Sequence, residues 1–180
     1  MIVYHGSNSN FKTLRISKSL VKHNSTLNNE GLGVYFSTNI EVARNYGKYI
    51  YTLEINDKEF QDFRKLTVCK NYVRHIIQDV YKTTKVDLSA YLDFETVSNY
   101  MYYGGLAITG VCREIYLQLD SNEFWHRLPK TKIESVYKRL NYLSKHCPKV
   151  FMFNYHIKDI GVIKDVSPDV VRIINKQSSY

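Results

Sequence analysis

Three short stretches hold the residue types that could act on a small ligand: Tyr4-His5-Gly6-Ser7, Gly31-Leu32-Gly33-Val34-Tyr35-Phe36-Ser37 and Ala43-Arg44-Asn45-Tyr46-Gly47. An imidazole such as His5 can offer one ring nitrogen to a hydroxyl while the backbone holds the other. Gly6 has no Cβ, so its main-chain N–H and C=O can approach a ligand amide closely. Tyr35 and Tyr46 can stack on a flat ring, and on a cationic ring they add cation–π attraction. Taken singly, each residue has a plainer explanation. A His after a strand is ordinarily a polar loop residue, Gly-x-Gly-Val-Tyr-Phe fits any glycine-bounded buried strand, and tyrosines near a helix are commonly core. A dinucleotide fingerprint is poorly supported, because Gly31-x-Gly33 precedes a strand and Gly-x-Gly-x-x-Gly is incomplete.

In this order and spacing, the three stretches resemble the nicotinamide-binding core of ADP-ribosyltransferases of the His-Tyr-Glu type, the diphtheria-toxin-like and poly(ADP-ribose)-polymerase-like superfamily. In that family one strand ends in His-Gly, a later strand carries Gly-x-Gly-[Ile/Val]-Tyr-Phe, and the helix after it ends in Asn-Tyr. The spacing of Tyr35 and Tyr46 is that of the polymerase branch. The match is close over roughly the first 55 residues and loose over about the last 25. It implies an enzyme with NAD as cosubstrate and no metal, built on a split mixed β-sheet whose cleft holds the NAD. It implies catalytic roles for His5 and Tyr35, and NAD contacts from His5, Gly6, Ser7, Tyr35, Phe36, Ser37 and Tyr46. The pyridinium would lie between Tyr35 and Tyr46, with its amide read by the main chain at Gly6.

The third catalytic position departs from the family. Cleaving the bond to nicotinamide develops oxocarbenium-like charge on the ribose, and a carboxylate near the 2′-hydroxyl stabilises it. The family acid is a Glu that begins one of the last strands. Here that strand is Ile160-Gly161-Val162-Ile163-Lys164-Asp165, and no Glu precedes it. Asp159 stands nearest and is the acid chosen; Asn154 and His156 share its turn. Glu114, in Arg113-Glu114-Ile115-Tyr116-Leu117-Gln118-Leu119, alternates as the family strand does, but too much chain follows it. A second departure is Ala43, where the polymerase branch has a Ser that bonds the nicotinamide amide. Amide recognition would then rest on Gly6, with Ser37 beside it. The missing Glu favours transfer of a single ADP-ribose over chain elongation.

The elements that must position these residues can be read from periodicity. Residues 1–5 are β-forming and end at Gly6-Ser7; 8–30 is a polar loop, and 31–37 a second strand. Thr38 or Asn39 can cap a helix over 40–46, with Glu41 in its first turn and Gly47 ending it. Residues 49–55 alternate as a strand. From about 57 to 128 the pattern is mostly helical, with Tyr72, Ile76, Ile77 and Val80 at helical spacing and Gly104-Gly105 as a break. Ile133, Val136, Tyr137, Leu140 and Leu143 form one helical stripe. Strands follow at 150–153, 161–164 and 170–174, with a turn near 155–159. The order predicts a single α+β domain over 1–180, its sheet assembled from both ends and a helical insertion at about 57–148.

Length, charge and composition bound the rest. The chain has 180 residues, 44% hydrophobic and 23% charged, a globular composition with room for a core. Its net charge of +8 and pI near 9.3 favour a polyanionic partner. Sixteen tyrosines suit a half-wet groove, although an AT-rich coding sequence raises Tyr, Lys, Asn and Ile together. Cys69, Cys112 and Cys147 form no CxxC pair, which argues against a zinc site or disulfide framework and for a reducing compartment. The first residues do not form a secretory signal and no apolar run reaches membrane-spanning length, so a cytoplasmic protein is expected. In segment 126–149, Arg127, Lys130, Lys132, Lys138, Arg139, Lys145 and Lys149 face one acid, Glu134. This is either a solvated helix face or a phosphate-tracking surface on which Trp125 and Tyr142 stack bases. The acceptor would be a macromolecule, nucleic acid or protein. By analogy, a small basic enzyme of this kind is a toxin or other effector, with a cognate inhibitor as a further partner. Three rival functions remain: a degenerate fold that binds NAD or ADP-ribose without reacting, a basic nucleic-acid-binding protein, and an NAD glycohydrolase.

Overall fold

Alternating apolar residues near both ends of the chain build one mixed sheet. The computed structural model describes residues 1–16, 33–103, 108–153 and 159–178. The strands are β1 (Ile2–Ser7), β2 (Val34–Ser37), β3 (Tyr49–Ile55), β4 (Phe60–Asp62), β5 (Val150–Met152), β6 (Ile160–Ile163) and β7 (Val171–Ser178). Helix α1 (Ile40–Arg44) follows β2, and α2 (Leu66–Thr84), α3 (Phe94–Tyr103), α4 (Ile108–Ser121), α5 (Phe124–Arg127) and α6 (Lys130–His146) fill the middle. The class is α+β. The chain divides into two compact units, one of residues 1–62 and 148–180 and one of residues 63–147.

The first unit carries the sheet, in the order β4-β5-β6-β2-β1-β3-β7. Only β4 and β5 run parallel; the other neighbours are antiparallel. The joins differ in extent. β1 pairs with β3 from Ile2↔Glu54 to Ser7↔Tyr49, and β2 with β6 from Val34↔Ile163 to Ser37↔Ile160. Between β1 and β2, in contrast, the register holds the single pair Tyr4↔Ser37. Val3, Val34, Phe36, Tyr51, Leu53, Ile55, Met152 and Ile163 point to one face and form its core.

The second unit packs its helices through apolar stripes: Val73, Ile76 and Val80 of α2, Val97 and Met101 of α3, Ile115 and Leu119 of α4, Val136, Leu140 and Leu143 of α6. The Arg139 guanidinium of α6 pairs bidentately with Asp79 of α2, Nη2 to Oδ2 at 2.8 Å, and holds that carboxyl below its usual range. The cysteines are free thiols. Among the described residues, no helix is long and apolar enough to cross a membrane, and no cluster of three His, Cys, Asp or Glu could hold a metal.

Several boundaries differ from the periodicity reading. Residues 57–62 are a 3-10 turn and strand β4 rather than the start of the helical segment. A three-residue strand is too short to show a period, and its partner β5 lies far along the chain. Helix α1 stops at Arg44, capped by Asn39 rather than Thr38: the Asn39 Oδ1 accepts the Glu41 N–H. β7 runs on to Ser178 through polar residues, because it is the outer strand and most of its side chains face solvent. Gly31, the Gly104-Gly105 break and the 155–158 turn lie outside the described residues.

Gly161 has no room for a side chain. A Cβ there would stand 2.3 Å from the Phe36 Cζ and 2.6 Å from the Phe151 carbonyl oxygen, and the carbonyl belongs to a paired strand. Gly161→Ala is expected to cost about 1–3 kcal/mol by overpacking. Urea denaturation should register this as a lower midpoint with an unchanged slope.

Candidate functional site

Four candidate residues of the first unit, His5, Gly6, Tyr35 and Tyr46, lie at the β1–β2 junction. In an antiparallel ladder, alternate residues turn both N–H and C=O to the same neighbouring strand. Met1 and Ile55 exchange both bonds, at 2.7 and 2.8 Å. Odd residues of β1 therefore bond β3, while the even ones, Tyr4 and Gly6, direct their N–H and C=O toward β2. Tyr4 meets Ser37 there. Continuing that ladder would set Gly6 opposite Tyr35 and give its N–H the Tyr35 carbonyl. The pairing stops first, and the His5 Nδ1 stands 2.6 Å from that carbonyl.

This contact settles the state of the imidazole. A carbonyl only accepts, so Nδ1 carries the hydrogen and Nε2 is left as the acceptor in the neutral ring. Burial holds the His5 pKa below 6.5, outweighing the bond to Tyr35, so the ring is neutral at pH 7. Such a group can accept from a hydroxyl.

Gly6 has a second reason to be glycine. A Cβ built on it would lie 2.0 Å from the Ala43 carbonyl oxygen of α1 and 3.0 Å from the Tyr46 Cβ. The absent side chain thus lets α1 lie on β1 and brings Tyr46 beside the Gly6 backbone, where Tyr46 is 42% exposed. By alternation from the Tyr4↔Ser37 pair, Tyr35 shares this face with Gly6 and is half-buried. Gly6, Tyr35 and Tyr46 therefore stand on one face. The His5 side chain leaves the other face and reaches the gap through the Tyr35 carbonyl.

The remaining candidates separate. Phe36 is 3% exposed, with its ring over Gly161 in the core, so it packs the sheet instead of lining the gap. Its neighbour Tyr35 takes the gap side because successive strand residues face opposite ways. Ser37 is buried and its Oγ accepts the Asn39 N–H, which ties the hydroxyl into the turn before α1. The Ser7 Oγ likewise accepts the Ser9 N–H. Asp159 immediately precedes β6 in a left-handed conformation, φ 68°, which Asp tolerates better than most residues. Ile160 pairs with Ser37, so Asp159 lies two strands across from β1. Asn154 and His156 lie outside the described residues.

Glu114, the alternative set aside for the length of chain after it, does not begin a strand. It belongs to α4, where its Oε1 accepts from Gln118 Nε2 at 3.2 Å, and no strand starts there. The burial of Val111, Ile115 and Leu119, four apart, is the helical signal that the local alternation concealed. The basic segment also offers less than its composition. Arg127 pairs with Glu123, Lys130 with Glu134, Arg139 with Asp79 and Lys149 with Glu59. The exposed pairs add little stability but they offset the charge a phosphate would meet. The Tyr142 ring, 47% exposed, stacks on His146 at 4.4 Å and carries the Arg139 guanidinium at 4.8 Å. The Trp125 side chain lies outside the described ones.

The His5 state makes a pH prediction. Because its folded pKa lies below the unfolded 6.5, the unfolded chain takes up the proton first. Its contribution to stability is complete above 6.5 and is lost as pH falls from there through the lower folded value. Thermal melts across that window should show the loss in the parent chain and a smaller one in His5→Asn. No family model matches the chain, and no curated protein or solved structure does either.

Proposed function

We propose that this chain is an NAD-dependent ADP-ribosyltransferase, which moves a single ADP-ribose from NAD to a macromolecular acceptor and releases nicotinamide. The observation that carries the reading is the interrupted β1–β2 ladder: His5 takes the Tyr35 carbonyl, and by alternation along β1 the Gly6 N–H and C=O face the β2 side beyond the last pair. A carboxamide has one acceptor and two donors, so one extended residue can satisfy it from a single side. Tyr35 and Tyr46, on the Gly6 face, suit the pyridinium plane attached to that amide. The ADP-ribosyltransferase-like split sheet belongs to the same reading, and the single pair between β1 and β2 supports it.

In the reaction, the bond between the nicotinamide nitrogen and the ribose C1′ breaks, and its electron pair leaves with the nicotinamide. The acceptor nucleophile attacks C1′ from the opposite face and gives up its proton. His5, through Nε2, accepts from a ribose hydroxyl and orients the sugar. Asp159 is the carboxylate that stabilises the positive charge. Four of the seven cations of 126–149 have a carboxylate partner, and a nucleic-acid and a protein acceptor stand as alternatives within the same reaction.

The test is incubation with NAD labelled in its ADP-ribose part and a mixed lysate, followed by nuclease or protease digestion. Label is expected on a macromolecule, and the treatment that frees it names the acceptor class. Asp159→Ala should lower nicotinamide release about 10²–10³-fold, as loss of a charge-stabilising group does, while NAD still raises the melting temperature. Near-normal release would remove Asp159 from the site. NAD binding without release by the parent chain would mark a degenerate fold, release without transfer a glycohydrolase, and no NAD-dependent thermal shift a nucleic-acid-binding protein.

A further inference from the structure

His5 is flanked by a group that the site chemistry does not use. Across the sheet, His5 of β1 pairs with Tyr51 of β3, and Tyr51 pairs with Lys176 of β7, so the three side chains form a row on one face. Tyr51 is fully buried. Its hydroxyl accepts the Phe11 N–H at 2.8 Å and donates to the Ser9 carbonyl at 3.0 Å. Lys176 donates from Nζ to the Asn10 Oδ1 at 2.7 Å. The segment leaving β1 is therefore strapped back across the row, one residue held by Lys176 and its two neighbours by Tyr51.

The strap carries a ring onto the imidazole. Phe11 lies flat on Tyr51, centroids 3.9 Å apart and planes 5° apart, and both rings touch His5, at 6.0 and 6.2 Å. Two aromatic rings are thus packed beside an imidazole whose Nδ1 is already committed to Tyr35. Phe11 is itself fixed through its own N–H.

We propose that the Tyr51 hydroxyl is a positioning group for His5: by gripping residues 9 and 11 it keeps the Phe11 ring against the imidazole and locks Nδ1 onto the Tyr35 carbonyl. Tyr51 touches no reacting atom and acts through His5. The titratable groups that face His5 are Tyr51 and, beyond it, Lys176, while Tyr35 contributes its carbonyl; burial, and no charged partner, is what lowers the His5 pKa. The Phe11 and Tyr51 rings lie on the buried side of the imidazole and contribute to that burial. The inference rests on the proposed transfer only for its consequence in catalysis.

The experiment is long-range nitrogen NMR of the His5 ring across pH, with the resonances assigned by their loss in His5→Asn. The parent chain should show Nδ1–H in the neutral ring and a midpoint below 6.5. Tyr51→Phe keeps the stacked ring but cuts the strap. Its His5 midpoint should move up toward 6.5, and both tautomers should appear. A folded Tyr51→Phe chain with fast Phe11 amide exchange, yet with midpoint and tautomer as in the parent, would overturn the proposal, since a merely structural hydroxyl changes only the melting temperature. If Tyr51→Phe does not fold, Phe11→Ala, on the half-buried strap, decides in the same way: an upward midpoint supports the inference and an unmoved one overturns it. A shifted midpoint in a chain that never releases nicotinamide would leave this inference standing and count against the proposed transfer alone.

Discussion

The hydrogen bond from His5 Nδ1–H to the Tyr35 carbonyl is the constraint on which the rest of the site depends. Backbone groups inside a sheet must find partners, and an antiparallel pair that has begun to zip ordinarily continues. Here a side chain on one strand satisfies the carbonyl that the neighbouring main-chain N–H would have claimed. One contact thus does three things. It takes the place of the next β1–β2 rung after Tyr4↔Ser37, it fixes the tautomer of the imidazole, and it leaves the polar groups of Gly6 outside the ladder.

Everything around that bond holds it in place with ordinary packing. On one face, α1 presses its Ala43 carbonyl against Gly6, a contact that any Cβ would forbid, and so delivers Tyr46 to the same backbone. On the other, Tyr51 and Phe11 crowd the imidazole. The tyrosines that face the gap come from a strand and from the turn after a helix, elements held by capping, pairing and burial. The helical unit of residues 63–147 is organised differently, by apolar stripes and by the Asp79–Arg139 pair. Four of its cations, Lys70, Arg127, Lys130 and Arg139, have a carboxylate partner.

Much of the fold was legible because its strong patterns are local. β1, α1, β3 and α6 each show their period within a few residues, and Asn39 marks the start of α1 by capping it. Two of the differences share a cause. β4 exists through its pairing with β5, and β7 extends through its pairing with β3; neither partner is near in sequence. Glu114 looked strand-like because Ile115, Leu117 and Leu119 alternate, yet Leu117 is 51% exposed and only the four-residue step is buried. Phe36 was grouped with Tyr35 by motif, and the pleat sent the two to opposite faces.

The sequence by itself determined where the main strands and the last long helix run and that the class is α+β, because short-range periodicity needs no partner to be read. Only the tertiary structure decided that His5 bonds the Tyr35 carbonyl, that Gly6 is demanded by α1, that Tyr51 straps Phe11 against the imidazole and that the Arg139 charge is spent on Asp79. Each of those is a contact between residues remote in sequence. Ladder register and close packing select such partners from many of equal chemical aptitude, and nothing in the local pattern ranks them.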